Sequence, residues 1–430
     1  MTARRGQIPP GPEEEYSTTQ ELLDWLGHQF KQFGDIYKAS IYGTSVYVIS
    51  DPQYTQHVLV ENWQNYVKGQ AIKRVALLLG NGLMVSEGEF WKSQRRMIQP
   101  AFHRKAIGAL IKVMTTANSV LLKKWEEAAR KRQSVNVTHD VSHMVLEVVL
   151  VSIFGDDYEQ VSSHFNLLSE ESARNMEFAG AFRSLGKIIL QVADRRRKEH
   201  ATFTDILGML METRDQHSGQ AMPDRQLINE VMTLIVAGHE TTASVLNWTW
   251  YLISQHPDVE EKLSNELNNF LGSEFPELDD LARFAYTRQI IEESLRLYPA
   301  GWLMTRKALK DDYLGDYFVP AGTEIYIPPY FVQRHPSLWE DPDRFNPDRF
   351  SPEHSQDRHR RAMFPFSAGP RYCIGESFAR MEMQIHVMMI AKQLRLRYVQ
   401  TRPLELDAGV NLRNKYDFIM TPELKGIADR

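Results

Sequence analysis

One cysteine, Cys373, stands in 430 residues, inside Phe366-Ser-Ala-Gly369-Pro-Arg371-Tyr-Cys373-Ile-Gly375. It cannot staple its own chain, so packing or chemistry must account for it. Gly369-Pro370 bends the backbone, and a helical pattern begins at Gly375 and runs through Phe378, Met381, Ile385 and Met388. A cysteine at a helix N-terminus meets free N–H groups and the positive end of the helix dipole, and both favour the thiolate. Arg371 adds positive charge from the other side. A thiolate held in this way is a soft, electron-rich metal ligand. A buried, inert thiol is the plainer reading of a lone cysteine, but the spacing Phe-x-x-Gly-x-Arg-x-Cys-x-Gly favours the ligand.

Three further groups stand out. Ala237-Gly238-His239-Glu240-Thr241-Thr242 lies at the centre of a helical pattern from about Asp224 to Gln255, which stops at His256-Pro257. Glycine and two β-branched residues weaken a mid-helix segment, and a threonine hydroxyl can bond back to a carbonyl. Such a weak point often marks a functional bulge, although close packing of another helix across Gly238 would use the same glycine. A carboxyl beside a hydroxyl can deliver protons. Trp91 and Arg95, at i and i+4, share one helix face. Glu293 and Arg296, at i and i+3, would alone be an ordinary surface pair.

The cysteine segment resembles the haem-binding loop of the cytochrome P-450 family, the haem-thiolate monooxygenases. The other motifs follow in that family's order, so the resemblance spans about residues 35–420. It implies haem b with the Cys373 thiolate as axial ligand, pushing electron density toward O–O cleavage. Phe366 would pack beside the sulfur and limit solvent access, with Arg371 and Gly375 completing the loop. Trp91 and Arg95 would hold the haem propionates, joined by Arg306. Ala237 and Gly238 would let the long helix approach bound O2. Thr241 would hydrogen-bond that oxygen through a water, and Glu240 would link the water to bulk protons. Asp341-Pro-Asp-Arg-Phe-Asn-Pro347-Asp-Arg349-Phe350 resembles the segment whose arginine joins the Glu-x-x-Arg pair. Glu293, Arg296 and Arg349 would then form a buried structural triad. Met84, Val85, Ala237, Thr241, Leu303 and Val410 are the substrate-pocket positions, mostly apolar.

The implied fold is mainly α: a large helical domain with small β-sheets and a long central helix over the haem, with 1–430 as a single domain. Its N-terminal arm is 1–20, its β-rich part is about 36–50 and 315–330, and its helical part is about 85–300 and 375–395. The implied reaction uses O2 and two externally supplied electrons to hydroxylate or epoxidise an apolar small molecule of fatty acyl, terpenoid or polyketide type. A haem-thiolate peroxygenase or isomerase stays open, as does a non-catalytic haem sensor. The intact Glu240-Thr241 pair argues against the first.

Composition sets outer bounds. The chain is 43% hydrophobic and 24% charged, ordinary for a globular protein, and its net charge of −5 does not indicate nucleic-acid binding. No uninterrupted apolar run predicts a transmembrane anchor, and the N-terminus shows no signal-peptide core. The chain ends soon after Cys373, so electrons are expected from a separate partner, a ferredoxin or flavodoxin with its reductase. A cytoplasmic monomer is the expectation.

Along the chain, Glu21–Phe33 predicts an amphipathic helix, and Ile36–Ile49 a hairpin turning at Tyr-Gly-Thr. Residues 104–131, 138–155 and 155–200 are helical by period. The last stretch is short for the family's substrate lid. Tyr317–Ile327 predicts a hairpin turning at Pro-Ala-Gly, and Val410–Thr421 a terminal hairpin whose tip would touch substrate. Arg358-His-Arg-Arg361 with Lys92, Arg96 and Arg380 is a candidate docking patch for an acidic redox protein.

Overall fold

The computed structural model describes residues 6–18, 21–162, 177–199, 203–270, 276–355 and 362–426. The principal helices are α1 (Leu22–Phe33), α2 (Gly88–Ile98), α3 (Ile111–Arg130), α4 (Val137–Phe154), α5 (Glu177–Glu199), α6 (Asp224–Gln255), α7 (Pro257–Phe270), α8 (Ala285–Leu297) and α9 (Glu376–Gln393). The strands are β1 (Ile36–Ile41), β2 (Thr44–Ile49), β3 (Tyr66–Lys68), β4 (Val135–Asn136), β5 (Met304–Ala308), β6 (Asp312–Leu314), β7 (Tyr317–Val319), β8 (Glu324–Ile327), β9 (Leu394–Tyr398), β10 (Leu406–Ala408), β11 (Leu412–Asn414) and β12 (Ile419–Leu424). The chain forms two compact units, Met1–Arg74 with Glu292–Cys373 and Leu404–Lys415, and Val75–Ile291 with Ile374–Pro403 and Tyr416–Arg430. The segments expected to be β-rich, 36–50 and 315–330, both fall in the first.

The first unit is built on a five-stranded sheet in the order β1-β2-β8-β5-β3. The β1–β2 turn uses Tyr42 at φ 51° and Gly43 at φ 72°, the left-handed pair that matches the strand twist. Register pairs Ile36 with Ile49 and Tyr37 with Val48. Because side chains alternate, Ile36, Tyr47, Ile49, Ile325 and Ile327 enter one apolar core. Tyr37, Ala39, Ile41, Val46 and Val48 enter another, which Leu23, Trp25 and Leu26 of α1 help to fill. A sheet buried on both faces has one workable register.

Tyr317–Ile327 does not form the predicted hairpin. β7 pairs with β6 across a turn at Gly315, whereas β8 leaves for the large sheet and lies between β2 and β5. Thr323 N still donates to Pro320 O at 3.1 Å, so the Pro-Ala-Gly turn exists. Ile325 and Ile327 are drawn into the sheet core instead of a local partner. Val410–Thr421 is likewise not one hairpin. Its first part closes β10 onto β11, and β12 pairs with β9 and β4 in a separate sheet.

The second unit is helical. The 32-residue α6 is its longest helix among the described residues and packs along α4. It stops at His256 because Pro257 disfavours helical backbone in the residue before it. α4 starts on an Asn136 side chain that accepts from His139 N at 3.0 Å, and it is buried nearly all round. Against the expectation of no spanning segment, Arg104–Arg130 and Val137–Ser162 are long and apolar enough to cross a membrane by length and composition. Neither holds an unbroken apolar run of that length. In the fold, 67% of the second apolar window is packed inside the protein. Helices α5 and Tyr158–Ser162 occupy part of the lid stretch, and 163–176 lie outside the described residues.

Candidate functional site

In the first unit the cysteine loop is fixed by its own backbone. Cys373 N donates to Phe366 O at 2.8 Å, and Tyr372 N donates to Gly369 O at 3.0 Å. Gly369 sits at φ 70°, and a Cβ there would lie 2.1 Å from Leu59 O. Only glycine permits that approach. Leu59 belongs to a wide π-type turn, His57–Glu61, against which the loop rests. Arg371 clamps the same neighbourhood: its guanidinium donates to Trp63 O at 3.2 Å and Tyr66 O at 2.9 Å, and it lies 5.0 Å from the Trp63 ring. The Cys373 thiol remains exposed, while Phe366 beside it is half-buried.

Beneath the loop lies the charged triad. Arg296 donates from Nε to Glu293 Oε2 at 2.7 Å and from Nη2 to Oε1 at 2.8 Å, a two-pronged pair in which both side chains are fully buried. Arg349 Nε lies 3.4 Å from Glu293 Oε1, and Asn346 N donates to the same oxygen at 2.9 Å. Arg296 also reaches Pro342 O at 2.6 Å and Gln333 O at 3.1 Å. Buried charges persist when they are paired and hydrogen-bonded, as Glu293 and Arg296 are here.

Gln333, unremarked in the sequence, joins the triad to the cysteine loop. Its Nε2 donates to Leu295 O and Arg296 O, both at 3.1 Å, and its Oε1 accepts from Phe364 N at 3.0 Å. It thereby ties the C-terminal carbonyls of α8 to the irregular segment leading into Phe366. An isolated glutamine in Pro-Tyr-Phe-Val-Gln-Arg carries no spacing that would have revealed it.

Other predicted positions of this unit are Arg306, Leu303 and Val410. Arg306, on β5, is buried, and one of its contacts is Nη1 to Thr305 O at 2.9 Å. Val410 is 82% exposed at the tip of β10–β11. That tip is tethered by Trp302 Nε1 to Gly409 O at 2.9 Å and by Leu412 N to Ala300 O at 3.0 Å, which brings it beside the segment carrying Leu303.

In the second unit the helical period of α6 sorts the 237–242 motif into two halves. Gly238, His239 and Thr242 turn toward protein. A Cβ on Gly238 would lie 3.1 Å from Val149 of α4, so this glycine serves close helix packing. His239 Nε2 lies 3.1 Å from Ser142 O and 2.8 Å from Ser142 Oγ, again on α4. A carbonyl only accepts, so Nε2 carries the proton, and burial holds the ring neutral by pushing its pKa down. Ala237 and Glu240 are exposed and Thr241 half-buried on the opposite half. Thr241 Oγ1 donates to Ala237 O at 2.7 Å. Its lone pairs remain available to accept from water. The helix continues through this point as α-helix, without the bulge expected there.

Trp91 and Arg95 are both buried on α2. Met84 and Val85 are half-buried in the turn before it. α6 fixes that turn: Leu83 N donates to Glu230 Oε2 at 2.8 Å, and a Cβ on Gly82 would lie 2.2 Å from Thr233 Oγ1. Glu230, fully buried, also escaped the sequence reading. Of the predicted docking patch, 358–361 lie outside the described residues. Lys92 is paired with Glu89 at 2.7 Å, Arg96 with Asp215 at 3.8 Å and Arg380 with Glu376 at 3.0 Å. Gly375 is the N-cap of α9, its carbonyl accepting from Ala379 N at 2.9 Å.

These donors fit a haem. An exposed thiol on a backbone-locked loop can ligate a soft metal. Among the described residues no three His, Cys, Asp or Glu side chains converge as a protein-only metal site. Arg306, buried in the first unit, and Arg95, buried in the second, are each a cation of the kind that pairs with a carboxylate.

Comparison with known proteins agrees. The family model described as Cytochrome P450 matches residues 15–186 and 165–420. Cyclooctatin synthase of Streptomyces melanosporofaciens is 32% identical over 87% of this chain and 87% of its own. Cyclooctat-9-en-7-ol 5-monooxygenase of the same organism is 32% identical over 93% of each chain. The crystal structure of the cytochrome P450DA heme domain superimposes with a TM-score of 0.88 over 98% of each chain at 24% identity, a likeness of fold. The chain therefore belongs to the cytochrome P450 family and is a monooxygenase whose haem is held through a cysteine thiolate, which in a chain with one cysteine is Cys373.

Proposed function

We propose that this monooxygenase inserts one atom of O2 into a C–H bond or a double bond of an apolar small molecule, reducing the other atom to water with two electrons and two protons. The electrons come from a separate ferredoxin or flavodoxin with its reductase, and the enzyme works as a cytoplasmic monomer. The bound haem supplies the oxygen activation. The protein's part is to fix the thiolate, orient the substrate and move protons. The observation that carries this reading is the accessible face of α6, where Ala237, Glu240 and Thr241 stand together and Ala237 and Glu240 are the exposed residues of the stretch 226–254.

On that face Ala237 offers apolar contact, Glu240 is an exposed carboxyl that can carry protons, and the Thr241 hydroxyl, anchored on Ala237 O, accepts from a water and holds it in place for proton transfer. Half-buried Met84, Val85 and Leu303 present apolar surface and no charge, which suits a hydrocarbon-rich substrate. One relative is named as a monooxygenase of cyclooctat-9-en-7-ol, by its name an alkenol, which supports the same substrate class.

Thr241→Ala tests the proton role. With a surrogate ferredoxin and reductase and a substrate identified by its spin-state shift, the variant should consume electrons at a similar rate but divert most of them to hydrogen peroxide. Removal of a positioned proton-transfer group typically costs about 10²–10⁴-fold in the step it serves. Unchanged coupling of electrons to product would remove Thr241 from the route.

A further inference from the structure

A cavity of about 310 Å³ opens in the helical unit, lined by residues of α3 and α4 that take no part in the site above. His139 and His143 on α4 share one face at i and i+4. Their Nε2 atoms are 3.1 Å apart and their ring centres 4.3 Å apart. The Nδ1 of His139 lies 3.4 Å from Asp140 Oδ1. Asp140 is itself buried and held by Lys124 Nζ at 2.7 Å and Trp125 Nε1 at 2.8 Å. These two donors hold the carboxylate in place behind the His139 ring. A fixed carboxylate behind one imidazole nitrogen places the proton there and leaves the other as a lone pair, the arrangement found behind metal-bound histidines.

We propose that His139 and His143 form a second metal site, which takes a borderline divalent ion such as Zn²⁺ or Cu²⁺ with water completing the coordination. The bite is right. At metal–nitrogen distances of about 2.05 Å, a 3.1 Å separation of the two nitrogens subtends about 98° at the metal, between the square-planar and tetrahedral angles. Ring rotations that aim both Nε2 lone pairs at one point would turn the shared N–H···N contact into a chelate. Water must supply the remaining ligands, because no third ligating side chain converges there among the described residues. The groups facing the pair allow a cation. Lys124 is engaged by Asp140, and Glu147 lies one turn further along the same face. Burial pushes the Glu147 carboxyl up, and Tyr158, whose pKa burial and Glu147 raise, lines the same cavity.

The test is calorimetric titration of the haem-loaded full chain with Zn²⁺, alongside His139→Gln, His143→Gln and Asp140→Asn. One equivalent should bind the parent at near-neutral pH. Either histidine variant should weaken that event at least about tenfold, and Asp140→Asn by about 10–100-fold, the usual effect of losing an orienting partner. The haem absorption spectrum of each variant, expected to be unchanged, reports that the fold is intact. No Zn²⁺ binding, or binding that survives unchanged in both histidine variants, would overturn the site.

Discussion

Replacing Gln333 with Leu should loosen the cysteine loop from the triad. The side chain is fully buried and makes three hydrogen bonds, to Leu295 O, Arg296 O and from Phe364 N. Leucine keeps most of the volume and removes all three, leaving two carbonyls and one N–H without those partners. A buried polar group left unsatisfied costs about 1–3 kcal/mol. Three of them, partly relieved by water at the α8 C-terminus, give about 3–6 kcal/mol. That is a large share of the roughly 5–15 kcal/mol by which domains are stable. Denaturant unfolding followed by far-ultraviolet circular dichroism and by the haem Soret band should both register the loss. The Soret midpoint should fall first, because Phe364 leads directly into Phe366 and Cys373. A loss below about 1 kcal/mol with an unchanged Soret midpoint would refute the bridge.

Two further outcomes follow from the buried groups. Glu293→Gln leaves the Arg296 and Arg349 guanidiniums without their shared carboxylate, and should cost about 3–5 kcal/mol and most of the haem content, measured by unfolding and by haem-to-protein ratio. His386 lies fully buried on α9, accepting from Trp250 Nε1 at 2.8 Å and donating to Asn118 Oδ1 at 2.6 Å, and burial pushes its pKa down to about 3. The unfolded chain takes up a proton below about pH 6.5 that the folded ring refuses. Stability from this group is therefore complete above pH 6.5 and falls by up to about 1.4 kcal/mol per unit as the pH drops toward 3. His386→Gln should flatten that slope by about 2 kcal/mol between pH 6.5 and 5. Glu382, one turn earlier, is buried and pushed up by burial, so its own pH dependence has the opposite sign. The slope is therefore read as the difference between parent and variant.

Much of this site was legible because its chemistry imposes spacing. A thiolate loop needs Gly369 for its bend and Arg371 and Cys373 at fixed offsets, and the structure shows why: Gly369 presses on Leu59 O, and Arg371 grips Trp63 and Tyr66. The Glu293–Arg296 pair shares a helical face, but only the resemblance of the 341–350 segment to the family's pattern joined Arg349 to it. Gln333, Glu230 and His239 were invisible as functional residues. Each is a single polar side chain whose partners come from distant sequence, so no period or motif marks it. The two misjudged hairpins have a related cause. Local turn residues were present at 320–322 and 409–411, but β8 and β12 found better partners across the fold. Pairing of that kind is decided by burial of Ile325 and Ile327, not by the turn.

The central claim is that Cys373 holds the haem iron as a thiolate, and the most direct test is the absorption spectrum of the reduced protein with carbon monoxide. The parent should show the strongly red-shifted Soret band of thiolate ligation, and Cys373→His should move it to the position of histidine-ligated haem. A histidine-type band in the parent, or a thiolate-type band that survives the substitution, would contradict the assignment.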